Sequence, residues 1–287
     1  MSSANNLGFH CHGLDHFDQA IIHNGLVRGE FYNFLPDELP GLRERIARHN
    51  LATSVHAPLE RFQWYPSPPT YTFLCEADKK RRQLSLRMIE ETMKQAQAMG
   101  ADYVVVHFPS PGSDKSSGKE SYDEAFEIAW KSAELMADMS QRYATPIHME
   151  GFGPSPFLNI DFLSHVFTEF PSLSYCFDTG HMHMQGLQFG FDFYEFAKDI
   201  GKHIGSIHLW NNRNKDDYDA HRHISVHPSQ RPEDGWGDIP RILQLVLSQN
   251  PTCTVIMESG LCYPKELGGH HISESVAWVK GLMAALP

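Results

Sequence analysis

The sequence predicts an α/β protein with the (β/α)8 barrel fold, on the basis of three observations. Short apolar runs alternate with helical patterns along the chain, which favours a parallel sheet with right-handed crossovers. Eight strand–helix units are expected, and this number favours a closed barrel over an open sheet. The length of 287 residues is close to the roughly 250 residues typical of such barrels. No linker or low-complexity stretch indicates a second domain, so residues 1–287 are assigned to one domain.

The expected strands are short runs rich in β-branched or aromatic residues and bounded by turns. The first two are expected at Leu7–His12 and Glu30–Phe34. Six later runs each end on a residue that can bind a metal: His56, His107, Glu150, Asp178, His208 and Glu258. Apolar residues spaced by three or four predict helices at Pro40–Asn50, Ala77–Met99, Tyr122–Tyr143, Ile160–Phe170, Phe191–Lys202, Ile239–Gln249 and Ser273–Leu286.

Composition limits the class of protein. A hydrophobic content of 41% and a charged content of 21% are ordinary for a globular domain. There is no run of 18 apolar residues and no signal-peptide pattern, so we expect no membrane span and a cytoplasmic location. The five cysteines show no paired spacing and imply no disulfide framework. The net charge of −11 disfavours a nucleic-acid partner without excluding one, because a local patch or bound cations could override it.

The strand ends predict a metal site. In an α/β barrel the C-terminal ends of the strands converge on one face, where the active site lies. Glu150, Asp178, His208 and Glu258 supply three carboxylates and one imidazole, a set that suits Mn²⁺, Zn²⁺, Co²⁺ or Mg²⁺. The alternative is that each is a separately satisfied polar residue. That alternative is disfavoured, because neighbouring buried carboxylates repel one another without a cation.

Five further histidines are candidates for additional metal ligands or for substrate binding. His181 belongs to an Asp-Thr-Gly-His motif, and we expect it to reach the same pocket from the loop after its strand. His221 and His223 can share a face if the backbone between them is extended. His56 and His107 each end a strand before a proline-containing turn, and either could instead hydrogen-bond substrate hydroxyls. The remaining histidines, including His10, His148, His227 and His270, are interpreted as structural or surface residues.

Two long segments follow strands that end on candidate ligands, Pro58–Glu76 and Leu209–Gly237. Loops of this length in a compact domain are usually functional. Both carry aromatic residues, among them Trp64 and Trp210. These rings could stack on a sugar or a base, or they could pack as a lid, and the sequence leaves both interpretations open.

At these motifs the chain resembles the xylose isomerase-like barrels, a superfamily that includes sugar isomerases and epimerases and endonuclease IV. The resemblance covers nearly the whole chain, in order. It rests on Ser54-Val-His-Ala-Pro58, Val105-Val-His-Phe-Pro-Ser-Pro-Gly112, His148-Met-Glu-Gly151, Phe177-Asp-Thr-Gly-His-Met-His183, Ile207-His-Leu209, Gly235-Trp-Gly-Asp-Ile-Pro240 and Met257-Glu-Ser259. The resemblance implies a (β/α)8 TIM barrel with a divalent metal on Glu150, Asp178, His208 and Glu258.

Two branches of the superfamily differ in the number of metal ions. The isomerase and epimerase branch uses one ion, held by the four core residues. The endonuclease IV branch uses three zinc ions, with added ligands that match His56, His107, His181, His221 and His223. The chain departs from that branch in two places. His221 stands where endonuclease IV has Asp, and Gly151-Phe-Gly-Pro154 replaces its Asn-Thr-Ala-Gly element. Both departures put the nuclease assignment in doubt.

The leading hypothesis is a metal-dependent isomerase or epimerase that acts on a small sugar or polyol-like substrate. Glu150 and Glu258 would be the catalytic acid and base, Trp210 would contact the substrate, and one ion (Zn or Mn) is favoured, with up to three allowed. The alternative is a multi-zinc phosphoester hydrolase of endonuclease IV type. A barrel that only binds a ligand is a third reading, disfavoured because every core ligand is present. The oligomeric state is not indicated by the sequence.

Overall fold

The computed structural model describes residues 6–66, 68–109, 121–151, 153 and 155–286. Eight strands are hydrogen-bonded in the order β1-β2-β3-β4-β5-β6-β7-β8 and close a barrel. This confirms the predicted (β/α)8 fold class. The strands are β1 Leu7–Cys11, β2 Arg28–Phe31, β3 Ala52–His56, β4 Val104–His107, β5 Ile147–Glu150, β6 Leu173–Asp178, β7 Ile204–Leu209 and β8 Thr254–Met257.

Helices lie between the strands. They are α1 Leu14–Phe17, α2 Leu39–His49, α3 Lys79–Met99, α4 Tyr122–Tyr143, α5 Ile160–Glu169, α6 Thr179–Phe189, α7 Phe193–Ile200, α8 Lys215–His221, α9 Ile239–Leu247 and α10 Ile272–Ala285. The bounds of α4 are those the sequence predicts. Helix α3 begins two residues late, because the Asp78 side chain caps it by accepting hydrogen bonds from Lys80 N and Arg81 N. It ends at Met99, directly before Gly100, which caps the helix with a φ of +66°.

Three sequence-based expectations need correction. Strand β2 starts and ends earlier than expected, at Arg28–Phe31. The segment after Asp178 is the helix α6, although we expected a loop there. Its sequence has little amphipathic pattern because it is buried on several sides, at Thr179, Gly180, Met182, His183 and Gln185. The Leu209–Gly237 segment is not a continuous loop, since it contains α8.

The chain divides into two compact units. The first unit comprises Met1–Cys11, Asp15–Gly29 and Phe177–Pro287, and the second comprises His12–Leu14 and Glu30–Cys176. The assignment of residues 1–287 to a single domain stays a prediction.

Strand register within the second unit places two candidate site residues side by side. In the parallel pair β4–β5, Val104 pairs with Ile147 and His107 pairs with Glu150. Parallel strands in register project paired side chains to the same face of the sheet. His107 and Glu150 are therefore neighbours at the carboxyl ends of their strands.

Strand register within the first unit positions two other candidate ligands, His208 and Glu258, on neighbouring strands. In the pair β7–β8, His208 pairs with Ile256 and Leu209 pairs with Met257. Glu258 follows directly after Met257, and its N–H donates to the Leu209 carbonyl oxygen at 3.2 Å. Backbone hydrogen bonding therefore continues one residue beyond β8 and fixes the position from which the Glu258 side chain departs.

Two features bear on the compositional analysis, the burial of the cysteines and the character of the helices. Cys176 and Cys253 are buried, and Cys262 is exposed. None of the described helices combines the length and the apolar character that crossing a bilayer requires.

The contact between α6 and Trp210 gives a stability prediction. A Cβ on Gly180 would collide with the fully buried Trp210 ring. We expect Gly180→Ala to lower the free energy of unfolding by about 1–3 kcal/mol, the usual cost of overpacking. Gly281 is the matched control, because it lies inside α10 with open space where a Cβ would be. Gly281→Ala should be neutral or stabilising by up to about 1 kcal/mol. Chemical denaturation measures both, and equal effects would contradict the packing argument.

Candidate active site

Two histidines and a glutamate form a tight group at the strand ends of the second unit. His56 Nε2 and His107 Nε2 lie 3.1 Å apart, and each lies 3.2 Å from Glu150 Oε2. His56 and Glu150 are buried, and His107 is nearly so. A zinc ion with ligand distances of roughly 2.0–2.2 Å at tetrahedral angles separates its ligand atoms by roughly 3.4 Å. The group therefore has nearly the dimensions of three metal ligands.

The other ring nitrogens of these histidines determine where their protons are. His56 Nδ1 lies 3.1 Å from the Ala57 carbonyl oxygen, and His107 Nδ1 lies 2.9 Å from the Thr70 carbonyl oxygen. Because a carbonyl oxygen only accepts, each Nδ1 carries the ring proton. In the neutral rings both Nε2 atoms then present lone pairs to Glu150 Oε2, which also only accepts. Such a group is stable when it holds a cation, either a metal ion or an additional proton.

The Pro58–Glu76 segment holds His107 in place. Thr70 accepts from the His107 ring, and the Thr72 hydroxyl donates to the His107 carbonyl oxygen at 2.5 Å. The aromatic residues of this segment pack within the protein: Trp64 stacks with Phe62 at 5.2 Å and lies under the Arg87 guanidinium at 4.1 Å. These contacts agree with the packing interpretation of Trp64, and the segment orients a candidate ligand.

The first unit brings three further candidate ligands together. Asp178, His208 and Glu258 each offer one ligand atom, and these atoms lie within 4.8 Å of one another. Asp178 and His208 are fully buried. His208 Nδ1 lies 3.0 Å from Glu258 Oε2. Two carboxylates and an imidazole in such proximity form an O/N set of the kind that divalent first-row metals bind.

Glu258 is surrounded by histidines. Burial raises the pKa of its carboxyl, but the positive charges of His208, His223 and His10 outweigh burial and hold this pKa well below its ordinary value. His223 Nδ1 lies 3.7 Å from Glu258 Oε1, and its ring N–H donates to the Glu258 carbonyl oxygen at 3.0 Å. The carboxylate is therefore ionised at neutral pH, as a metal ligand or a general base must be.

Both carboxylate oxygens of Asp178 accept hydrogen bonds. Its Oδ1 caps α6 by accepting from His181 N at 2.7 Å, and its Oδ2 accepts from Trp210 Nε1 at 2.8 Å. The Trp210 ring is fully buried and stacks on the His223 ring at 4.2 Å with an angle of 13° between the planes. In this structure Trp210 thus orients a candidate ligand. Its contact with substrate stays a prediction.

The three remaining histidines are placed differently from one another. His181 lies in the first turn of α6 rather than in a loop, and its ring is 5.4 Å from that of His223 and 5.0 Å from that of Trp210. His221 is the last residue of α8, and its Nδ1 lies 3.5 Å from Glu266 Oε1. The extended backbone that would let His221 and His223 share a face is absent, because Arg222 has a φ of +60°. His223 lies at the site, whereas His221 faces an exposed glutamate.

The sequence interpretation missed His10. Its Nδ1 lies 4.0 Å from Glu258 Oε1, and its ring centroid is 6.3 Å from that of His208. The signal was present, since His10 lies near the end of β1 as the other candidates lie near the ends of their strands. The alternation His10-Cys-His12 does not by itself show which of the two histidines faces inward. Pairing of β1 with β8, in which Phe9 lies beside Met257, carries His10 toward Glu258.

Comparison with known proteins identifies the family. A family model for the xylose isomerase-like TIM barrel matches residues 5–280. The chain belongs to this family. No curated protein sequence matches the chain significantly.

Solved structures of low sequence identity share the fold. A D-tagatose 3-epimerase-like protein is 16% identical, with a TM-score of 0.69 over 97% of each chain. D-psicose 3-epimerase, determined in the presence of D-fructose, is 12% identical, with a TM-score of 0.66 over 97% of this chain and 99% of that one. A xylose isomerase-like TIM barrel protein from Mycobacterium smegmatis in complex with magnesium is 12% identical, with a TM-score of 0.57 over 92% and 86%. At these identities the likeness shows the fold.

One motif that carries the resemblance, and the element that departs from endonuclease IV, extend outside the described residues. These are the Ser110-Pro-Gly112 end of the strand-four motif, and Phe152 and Pro154 in the element after Glu150.

The hydrogen bond from Trp210 to Asp178 gives a prediction about metal affinity. Trp210→Phe keeps an aromatic ring but removes the Nε1 donor to Asp178 Oδ2. Loss of such a supporting contact typically weakens metal binding about 10–100-fold. We expect that loss in a metal titration followed by calorimetry, with the protein still folded. Trp236→Phe is the control, because Trp236 packs with Ile224 and Tyr263. Unchanged affinity in Trp210→Phe would contradict the positioning role.

Proposed function

We propose that this protein is a divalent-metal-dependent epimerase or isomerase that acts on a small sugar or polyol-like substrate. The observation that carries the proposal is the pair of carboxylates Glu150 and Glu258. Each lies at the carboxyl end of its strand, and each is flanked by histidine nitrogens within 4.0 Å. Carboxyl groups in this setting suit both metal binding and proton transfer.

The proposed metal set is Glu150, Asp178, His208 and Glu258. Asp178, His208 and Glu258 lie together within the first unit. Glu150 ends β5, the strand before Asp178 in a closed parallel barrel whose strand ends converge on one rim. The resulting set of three carboxylates and one imidazole favours Mn²⁺, Zn²⁺ or Mg²⁺ over a thiolate-selective metal.

In the proposed reaction one glutamate begins ionised and accepts a proton, and the other begins protonated and delivers one. When bound, a divalent ion polarises neighbouring substrate oxygens and makes the adjacent C–H more acidic. One glutamate removes the proton from the carbon next to the substrate carbonyl, and the electron pair moves into an enediolate. The second glutamate delivers a proton to the opposite face of that carbon for epimerisation. No oxidant or reductant is consumed, because one C–H bond breaks and one forms.

The structural relatives support the substrate class. Two of them are described as 3-epimerases or 3-epimerase-like proteins for the ketohexoses D-tagatose and D-psicose. When they are not bound to a metal, His107, His181 and His223 would hydrogen-bond substrate hydroxyls, and His107 and His223 would accept at Nε2 because Nδ1 carries the ring proton in each. An acidic chain with a net charge of −11 does not disfavour a neutral sugar.

A second candidate function has its own supporting observation. The group of His56, His107 and Glu150 has nearly the dimensions of a zinc site. A second ion at this position would make a multinuclear centre, which favours phosphoester hydrolysis of endonuclease IV type. His221 weakens this candidate, because it faces Glu266.

Two substitutions test the proposed proton transfer. Glu150→Gln and Glu258→Gln keep the size of each side chain but remove its capacity to accept a proton. We expect each to lower kcat for epimerisation of a 2-ketose at least about 10²-fold, the lower range of acid–base contributions. The assay follows incorporation of deuterium at the epimerised carbon from D2O by NMR. Glu134→Gln, an exposed residue paired with Lys131, is the control and should retain wild-type activity. Full activity in either site variant would contradict its role.

The number of ions separates the two functions. We expect protein purified without chelator to carry a divalent ion that depends on Asp178, and removal of the ion should abolish epimerisation reversibly. Elemental analysis of the wild type and of His56→Ala measures whether a second ion is bound at the His56–His107–Glu150 group. Loss of an ion in His56→Ala, together with cleavage of an abasic-site duplex by the wild type, would overturn the epimerase proposal.

A further inference from the structure

Two buried hydroxyl groups of the second unit, on Tyr65 and Ser85, have had no role so far. Ser85 lies on the buried face of α3 and is fully buried, and Tyr65 is only 7% exposed. A serine or threonine inside a helix often bonds the carbonyl oxygen four residues before it. Thr92 in the same helix does so at 2.9 Å. Ser85 lies 3.4 Å from the corresponding oxygen of Arg81, and its shorter bonds go to the Pro58–Glu76 segment.

The two hydroxyls form one directed chain of hydrogen bonds. The Tyr65 hydroxyl donates to the Tyr71 carbonyl oxygen at 2.6 Å, because a carbonyl oxygen only accepts. Since this bond uses the phenol proton, the Ser85 hydroxyl is the donor in its 2.9 Å contact with Tyr65. Ser85 Oγ in turn accepts from Phe73 N at 2.8 Å. Burial raises the pKa of Tyr65 to about 12, so the phenol keeps its proton at neutral pH.

This chain holds the peptide groups on both sides of Thr72. The tyrosine hydroxyl binds the carbonyl of the preceding residue, and the serine oxygen binds the N–H of the following one. Thr72 is buried, and its hydroxyl donates to the His107 carbonyl oxygen at 2.5 Å. One peptide group earlier, the Thr70 carbonyl oxygen lies 2.9 Å from His107 Nδ1. Three consecutive peptide groups are therefore fixed, and they hold both the backbone and the ring of His107.

We propose that Tyr65 and Ser85 are positioning residues for His107. By holding the Thr70 carbonyl oxygen against Nδ1, they keep a proton on that atom and leave Nε2 directed at Glu150 Oε2, 3.2 Å away. A backbone carbonyl that accepts from one ring nitrogen fixes the tautomer and the orientation of a histidine whose other nitrogen binds a ligand. Hydrogen bonds that share a hydroxyl strengthen one another, so loss of either hydroxyl should loosen the segment at His107.

The exchange of the His107 Nδ1 proton with water tests the proposal. Tyr65→Phe removes the donor to Tyr71, and Ser85→Ala removes the middle of the chain. Each should speed this exchange by roughly 2–10-fold, the factor that corresponds to the usual net contribution of one hydrogen bond. NMR of protein labelled with 15N-histidine measures the exchange, and the signal is assigned by its absence in His107→Gln.

Ser132→Ala is the matched control, because it removes the same kind of bond from the same segment. The buried Ser132 hydroxyl donates to the Leu74 carbonyl oxygen at 2.6 Å. This variant should lower the Tm about as much as Tyr65→Phe does, but His107 should keep the wild-type exchange rate. Equal acceleration in Ser132→Ala would make the effect one of general stability and overturn the proposal. Wild-type exchange in both Tyr65→Phe and Ser85→Ala would also overturn it.

A second measurement concerns the substrate and rests on the proposed function. Because His107 Nε2 would accept from a substrate hydroxyl, Tyr65→Phe should raise KM for a 2-ketose by about 2–10-fold and leave kcat near the wild-type value. Ser132→Ala should change neither constant. Faster proton exchange without epimerisation in the wild type would support the positioning of His107 and contradict the proposed function, so the two can fail separately.

Discussion

The candidate site depends on one constraint. Carboxylates and histidine nitrogens lie close together at the strand ends, and their negative charge and lone pairs require a cation. A buried carboxylate is costly unless it is paired or bound to a cation. Glu150 faces the Nε2 atoms of His56 and His107, and the ring protons of these histidines are on Nδ1. Glu258 lies among three histidines that lower its pKa despite burial. A divalent cation provides positive charge to such groups without adding a side chain, and the same charge can activate a substrate.

The residues that hydrogen-bond the candidate ligands belong to the long segments that follow these strands. Thr70 accepts from the His107 ring, and Trp210 donates to Asp178. Both come from segments after strands, so these segments contribute to the orientation of the candidate ligands. Gly180 belongs to this arrangement, because the absence of a Cβ lets α6 approach the Trp210 ring closely.

Much of the fold and part of the site could be predicted from sequence. Strand ends are marked by apolar runs that stop at a polar residue, and β3, β4, β5 and β6 end on the predicted residues. Helix α6 was missed because a segment buried on several sides lacks the pattern of an amphipathic helix. The different environments of His221 and His223 depend on the positive φ of Arg222, which sequence spacing does not reveal.

The central claim is that the strand-end carboxylates bind a divalent cation. Anomalous X-ray diffraction from crystals grown with zinc or manganese, recorded at the metal absorption edge, tests it most directly. The account predicts an anomalous peak roughly 2.0–2.3 Å from ligand atoms of Asp178, His208, Glu258 and Glu150. A fully metal-loaded crystal with no anomalous peak near these four side chains would contradict it.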